Sequence, residues 1–234
     1  MQMSKGISPD KRLQVLNDVI IECKRCPELR SYCTEIGRTK RRAYADCSYW
    51  SRPVPGFGDP RASLLIVGLA PGAHGANRTG RVFTGDRSGD FLFDGLHRVG
   101  LANQAHSVDI NDGLILKDVY IGVALRCAPP GNKPTKNQLV ACQDYLAEEI
   151  SILMPRVVLC LGGIAFNTML RWCRSQEFDV PKPSPKFGHG VEVSVGDLTL
   201  LGCYHVSQQN TFTGRLTPAM LDQVLEQAKS LAFA

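Results

Sequence analysis

Two periodicities run through the chain. Short, wholly apolar runs bounded by turn residues, Leu64-Leu65-Ile66-Val67 and Val157 to Leu161, read as strands buried on both faces of a parallel sheet. Val119 to Leu125 reads as another strand, and Val191 to Val195 and Leu198 to Tyr204 add β structure around Gly196-Asp197. Between them the spacing becomes helical. Ser8 caps a helix with Pro9 at its first position and Leu13, Leu16, Val19 and Ile20 on one face. Ser88 to Val99 turns Phe91, Leu92, Leu96 and Val99 inward; Thr135 caps a helix to about Met154; further helices cover Ile164 to Trp172 and Thr217-Pro218 to about Leu231. From Cys26 to Pro60 the pattern lapses into an irregular, basic excursion containing Lys40-Arg41-Arg42. The alternation predicts an α/β fold, a three-layer αβα arrangement on a central, mainly parallel four-stranded sheet, with residues 1–234 as one domain and ligands bound beyond the carboxyl ends of the strands.

Composition narrows the class. No apolar run approaches the roughly 20 residues that span a bilayer, and the N-terminus lacks a charged-then-apolar leader, so a soluble, cytoplasmic protein without a membrane partner is expected. A net charge of +5 permits a polyanionic partner without identifying one. Nine cysteines, an odd number, argue against a disulfide framework. Cys23 and Cys26 form a C-x2-C pair, and Cys127 and Cys142 stand with fourteen residues between them. Four soft sulfur ligands suit zinc or an iron-sulfur cluster, and spacing does not choose between these. Cys33 and Cys47 are alternative partners for the first pair, whereas Cys160, Cys173 and Cys203 lie on strand or helix patterns as core residues.

Two loops carry the candidate chemistry. Gly68 to Asp86 leaves the first strand as a Gly-rich polar stretch, yet it has neither the G-K-[ST] ending nor the G-x-G-x-x-G of the standard phosphate loops. Its glycines permit tight turns and amides directed at an acceptor. Cys203 to Leu216 leaves the last strand through His205 into a polar segment, in which Ser207, Gln208, Asn210 and Arg215 suit contact with a nucleic-acid backbone and Phe212 suits a wedge. The plainer readings are a structural turn for the first loop and an ordinary packed histidine for the second.

Together these segments resemble the superfamily of uracil-DNA glycosylases, and the run G-L-A-P-G-A-H-G-A-N-R-T-G-R from Gly68 to Arg81 closely resembles its family 5, the iron-sulfur type called B. The resemblance extends from Cys23 to at least Thr217. It implies a monofunctional repair enzyme, acting as a monomer on double-stranded DNA, that flips a deaminated base into a pocket and hydrolyses its N-glycosidic bond. Uracil, hypoxanthine and xanthine are the implied bases. Cys23, Cys26, Cys127 and Cys142 match the ligands of a structural 4Fe-4S cluster, which would tie the N-terminal helix and basic excursion (8–60) to the domain. His205 matches the histidine that donates to the departing base, Phe83 the ring on which the base stacks, and Gly68, Leu69, Ala70, Pro71 and Gly72 the substrate turn. Family 5 has alanine where most branches place a carboxylate or amide near Ala70. Asn77 is therefore the first candidate to orient the attacking water and Asp86 the second. Two departures stand out. Val123 occupies the position of the family 4 asparagine that reads uracil, and Val206 replaces the proline of the usual His-Pro-Ser. Rival functions are a zinc-bearing nucleic-acid-binding protein without catalysis and a hydrolase of free nucleosides.

Overall fold

The computed structural model describes residues 7–234. Helix α1 (Pro9–Ile21) starts where expected, Ser8 Oγ accepting from the Lys11 amide. A second helix, α2 (Pro27–Thr39), then fills the first part of the segment expected to be irregular. Pro27 sits at its start, and Leu29, Tyr32, Cys33 and Ile36 recur at helical spacing, a signal that the irregular reading of this stretch passed over; Leu29 and Cys33 are its buried positions.

The sheet has six strands, not four: β1 (Phe57–Gly58), β2 (Leu64–Gly68), β3 (Val119–Val123), β4 (Val157–Leu161), β5 (Glu192–Val195) and β6 (Leu198–Cys203), in the order β1-β3-β2-β4-β6-β5. The expected parallel block is β3-β2-β4-β6. Each end is closed by an antiparallel strand, β1 on β3 and β5 on β6. The two-residue β1 is invisible in the sequence because so short a strand in a turn-rich stretch shows no alternation, while β5 buries every second residue as an edge strand does.

The remaining helices are α3 (Ala76–Thr79), α4 (Arg87–Arg98), α5 (Lys136–Leu153), α6 (Gly163–Ser175), α7 (Gln208–Phe212) and α8 (Pro218–Phe233). Alternating residues of each strand serve opposite faces. Leu65, Val67, Val158 and Cys160 pack with α1, α2, α5 and α6, whereas Leu64, Ile66, Val157 and Leu159 pack with α4 and α8. Helix α5 opens with a complete capping box, Thr135 and Gln138 satisfying each other's backbone amides.

A charged pair is sealed inside one of these layers. Arg126, in the loop after β3, bonds Glu149 of α5 at 2.5 Å, their side chains 1% and 0% exposed. A β-carbon at Gly56 or Gly122 would come within 2.5 or 2.7 Å of that carboxylate, so both positions leave room for it. The Arg126 carbonyl also accepts from the Val54 amide at 2.7 Å. Removing one partner strands an uncompensated buried charge. We expect Glu149→Ala to lose about 3–5 kcal/mol in urea unfolding, and the apolar double replacement Arg126→Met with Glu149→Leu to lose less than the sum of the single losses; additive losses would show that the two charges do not act as a pair.

Candidate active site

Strand register sets the position of the site. Gly68 at the end of β2 lies opposite Val123 at the end of β3, and Leu161 of β4 opposite Cys203 of β6. The loops that follow therefore leave the sheet side by side.

The loop after β2 is folded by its own arginines. Arg78 donates from Nε to the His74 carbonyl at 2.9 Å and from Nη2 to the Gly85 carbonyl at 2.8 Å, with its guanidinium 4.2 Å over the Tyr44 ring. Arg81 is buried and donates to Thr84, Ser107 and Asp112. Burial works to raise the Asp112 pKa, but Arg81 and the Val108 and Leu114 amides overcome it and hold that carboxyl at about 2. Phe83 emerges from this frame at φ 51°, its ring against Gly68, where a β-carbon would lie 2.6 Å from the ring.

His205 faces it across the gap, ring centroids 6.5 Å apart. It is fixed from three sides. Gly162, at φ +94°, leaves space that a side chain would take from it; Asn210 Nδ2 donates to its carbonyl at 2.8 Å; and the preceding Tyr204 amide donates to His189 Nδ1 at 3.2 Å. Burial lowers the His205 pKa, so the ring is neutral at pH 7 and keeps one N–H to donate.

Between the two rings opens a cleft of about 400 Å³, within the usual size of small-ligand sites. Leu69, Ala70 and Gly72 of the substrate turn line it together with Asp86 and Ser207. A second hollow, about 590 Å³, adjoins it and shares Gly72, Asp86, Ser88 and Asn132, adding Tyr32, His74 and Gln208.

Of the two candidates for orienting water, one lines the clefts and the other does not. Asn77 is 1% exposed and lies outside both clefts; its amide donates to the Cys33 and Ala73 carbonyls at 3.3 Å, pinning α3 against α2. Asp86 lies in the wall of both. Its Oδ1 caps α4 through the Ser88 and Gly89 amides, and its Oδ2 approaches Gly72 and Gly75 so closely that side chains there would collide with it. Burial raises its pKa against the pull of those two amides, which leaves a carboxylate more basic than usual.

Asn210 serves the backbone of His205, whereas Phe212 is 67% exposed and Arg215 lies 4.8 Å over the Tyr204 ring. Sequence reasoning missed Ser88, Asn132, Lys133 and Gln209, all cleft residues. The one available signal was Pro129-Pro130-Gly131-Asn132, a rigid turn bracketed by cysteines, in which Asn132 takes φ 57°.

The cysteine quartet converges at one junction. Arg25, between Cys23 and Cys26, donates to the Ala141 carbonyl beside Cys142 at 3.0 Å, and the Arg126 amide, beside Cys127, donates to Cys142 Sγ at 3.3 Å. Among the described residues no group of three His, Cys, Asp or Glu side chains stands ready to hold a metal ion. Cys33 is buried on α2 beside Cys127, with its thiol donating to the Ala128 carbonyl, and Cys47 lies in the turn after Tyr44.

Residues 55–229 match the model of the Uracil DNA glycosylase superfamily. The chain is 51% identical to a Type-5 uracil-DNA glycosylase of Mycobacterium tuberculosis over 93% of its own length and 81% of the relative's. It is 48% identical to the Type-5 uracil-DNA glycosylase of Thermus thermophilus over 90% and 94%, and 30% identical to a Type-4 enzyme of Pyrobaculum aerophilum over 68% and 64%.

The buried His205 has a checkable titration. Its folded pKa lies below the ordinary 6.5, so the unfolded chain binds the proton more readily and this residue's contribution to stability, full above pH 6.5, is lost as pH falls through the folded pKa. A proton NMR titration is expected to give a His205 midpoint below 6.5; a midpoint at or above that value would mean that the ring is solvated.

Proposed function

The chain belongs to the uracil-DNA glycosylase superfamily, among its type-5 members, and from that premise we propose how its residues carry out base excision. It is a DNA-repair hydrolase of N-glycosyl bonds that removes uracil. The observation that carries the assignment of roles is the meeting of Phe83, His205 and Asp86 around one cleft at the strand ends.

A base inside a duplex is out of reach, so double-stranded DNA must present it flipped, at a cost of a few kcal/mol. The cleft receives the base on the Phe83 ring, above the turn Gly68, Leu69, Ala70, Pro71, Gly72. As the bond to the sugar lengthens, negative charge grows on the base and positive charge on the sugar. Neutral His205 donates its N–H to the departing base without having to lose a full charge, the kind of preorganised donation worth about 3–4 kcal/mol. Asp86 takes the second role. With one oxygen committed to the α4 cap, the other is directed toward the turn, where it holds a water against the cationic sugar. Ser207, Gln208, Asn210, Phe212 and Arg215 form the DNA-contacting lip.

Val123 lies beside Gly68, its Cγ1 within 3.3 Å of where a β-carbon would stand. It offers the base no polar group at the end of β3. A site without a fixed reader of the uracil edge accepts other deaminated bases, so hypoxanthine and xanthine are proposed substrates. No helix of the described residues is long and apolar enough to cross a membrane; we place the enzyme in the cytoplasm as a monomer.

Cys23, Cys26, Cys127 and Cys142 are proposed to hold a 4Fe-4S cluster. Four cysteine thiolates are the usual ligands of such a cluster, and the contacts of Arg25 and of the Arg126 amide link the segments that carry these four. When bound, the cluster would tie the α1–α2 junction to α5 and supply no chemistry to the excision step.

Purified protein should release uracil from a duplex, and His205→Ala should lower kcat by about 10²–10³-fold. Asp86→Asn should lower it with KM little changed, while Asn77→Ala should act through stability, with near-normal kcat in the folded fraction. Full activity in both His205→Ala and Asp86→Asn would reject the assignment. Iron analysis should find four irons per chain with broad visible absorption, both lost in Cys142→Ser; a stoichiometric zinc content instead would overturn the cluster.

A further inference from the structure

The arginines of the loop after β2 and of the far end of α4 are engaged. Arg78 is spent on two carbonyls, Arg81 on Asp112, and Arg98 on Asp94 and Asp222. Two on the rim are not. Arg215 lies over Tyr204, and Arg87, in the first turn of α4, lies 5.5 Å over the exposed ring of Phe212. Among the described residues neither forms an ion pair with a carboxylate. Of the acidic side chains nearest in the helix, Asp86 caps α4, and Asp90, a turn further along, forms no ion pair with Arg87 among the described residues.

Arg87 stands between the cleft residues Asp86 and Ser88, and Phe212 ends α7, whose Gln208 and Gln209 line the clefts, so their contact joins α4 to α7 beside the site. An exposed cation over an aromatic face is weakly held. A guanidinium on a phosphate makes charge-assisted, often paired hydrogen bonds, which are much stronger. The same ring cannot both carry the guanidinium on its face and lie between stacked bases.

We propose that Arg87 is a phosphate-binding residue of the DNA interface, stored on the face of Phe212 in the free enzyme and transferred to the backbone of the duplex as that ring enters the base stack. The inference rests on the glycosylase reading and adds to it a cation at the start of α4. Duplex DNA then meets positive charge beside the cleft that receives the flipped nucleotide.

The test is the salt dependence of binding by the full chain to a duplex carrying one tetrahydrofuran abasic-site analogue, measured by fluorescence anisotropy across a KCl series. Each neutralised phosphate contributes about −0.9 to the slope of log K against log salt. Arg87→Ala should flatten the slope by about 0.9, while Arg87→Lys, which keeps the charge, should retain the wild-type slope. A structural role alone would shift affinity without changing the slope. An unchanged slope in Arg87→Ala, or an equal flattening in Arg87→Lys, overturns the proposal. Uracil excision by the wild type, assayed alongside, separates the two failures: excision with an unchanged slope rejects Arg87 alone, whereas no excision and no preference for the abasic duplex rejects the glycosylase reading.

Discussion

The level ending of four parallel strands is the constraint on which the rest of the molecule depends. Gly68 stands opposite Val123, and Leu161 opposite Cys203, because the ladders β3-β2-β4-β6 run in continuous register. A slip of one residue would exchange the faces of every side chain in a strand, sending Leu65 and Val67 toward α4 and α8. It would also carry Gly68 away from Phe83. Burial on both faces makes such a slip costly, and that cost keeps two loops from distant parts of the chain within one nucleobase of each other.

The loops themselves are held by buried polar contacts rather than by apolar packing. A Gly-rich segment gains little from the hydrophobic effect, so its shape comes from Arg78 and Arg81 satisfying carbonyls and hydroxyls within it. Asp86 shows how structure and chemistry share one side chain. The amides that it caps would lower its pKa, but burial outweighs them, and the result is a carboxylate both anchored and basic. His205 follows the same logic with opposite charge, since burial keeps it neutral and therefore a donor that need not be desolvated during reaction.

The cysteine junction has a different task. It brings α1 and α2 against α5, and α2 in turn receives Asn77 through the Cys33 carbonyl. That chain of contacts runs from α2 to the loop that carries Phe83, with Asn77 as its link. Arg126 and Glu149 reinforce the same region from inside, where the pair bridges the loop bearing Cys127 to the helix bearing Cys142.

Periodicity alone was enough to determine the parallel core, five of the long helices and the two loops at the strand ends, because long buried elements impress their spacing on the sequence. Motif resemblance supplied the chemistry of His205 and Phe83. The sequence reading puts Asn77 ahead of Asp86 as the water-orienting candidate, but both are polar residues in one loop, and only folding decides which is packed against α2 and which is left in the cleft wall. Strand β1, the wall residues Ser88 and Asn132, and the contact of Arg87 with Phe212 were likewise settled by tertiary structure. Each depends on which surfaces meet across long sequence separations, and a short or weakly patterned segment carries no local record of its eventual neighbours.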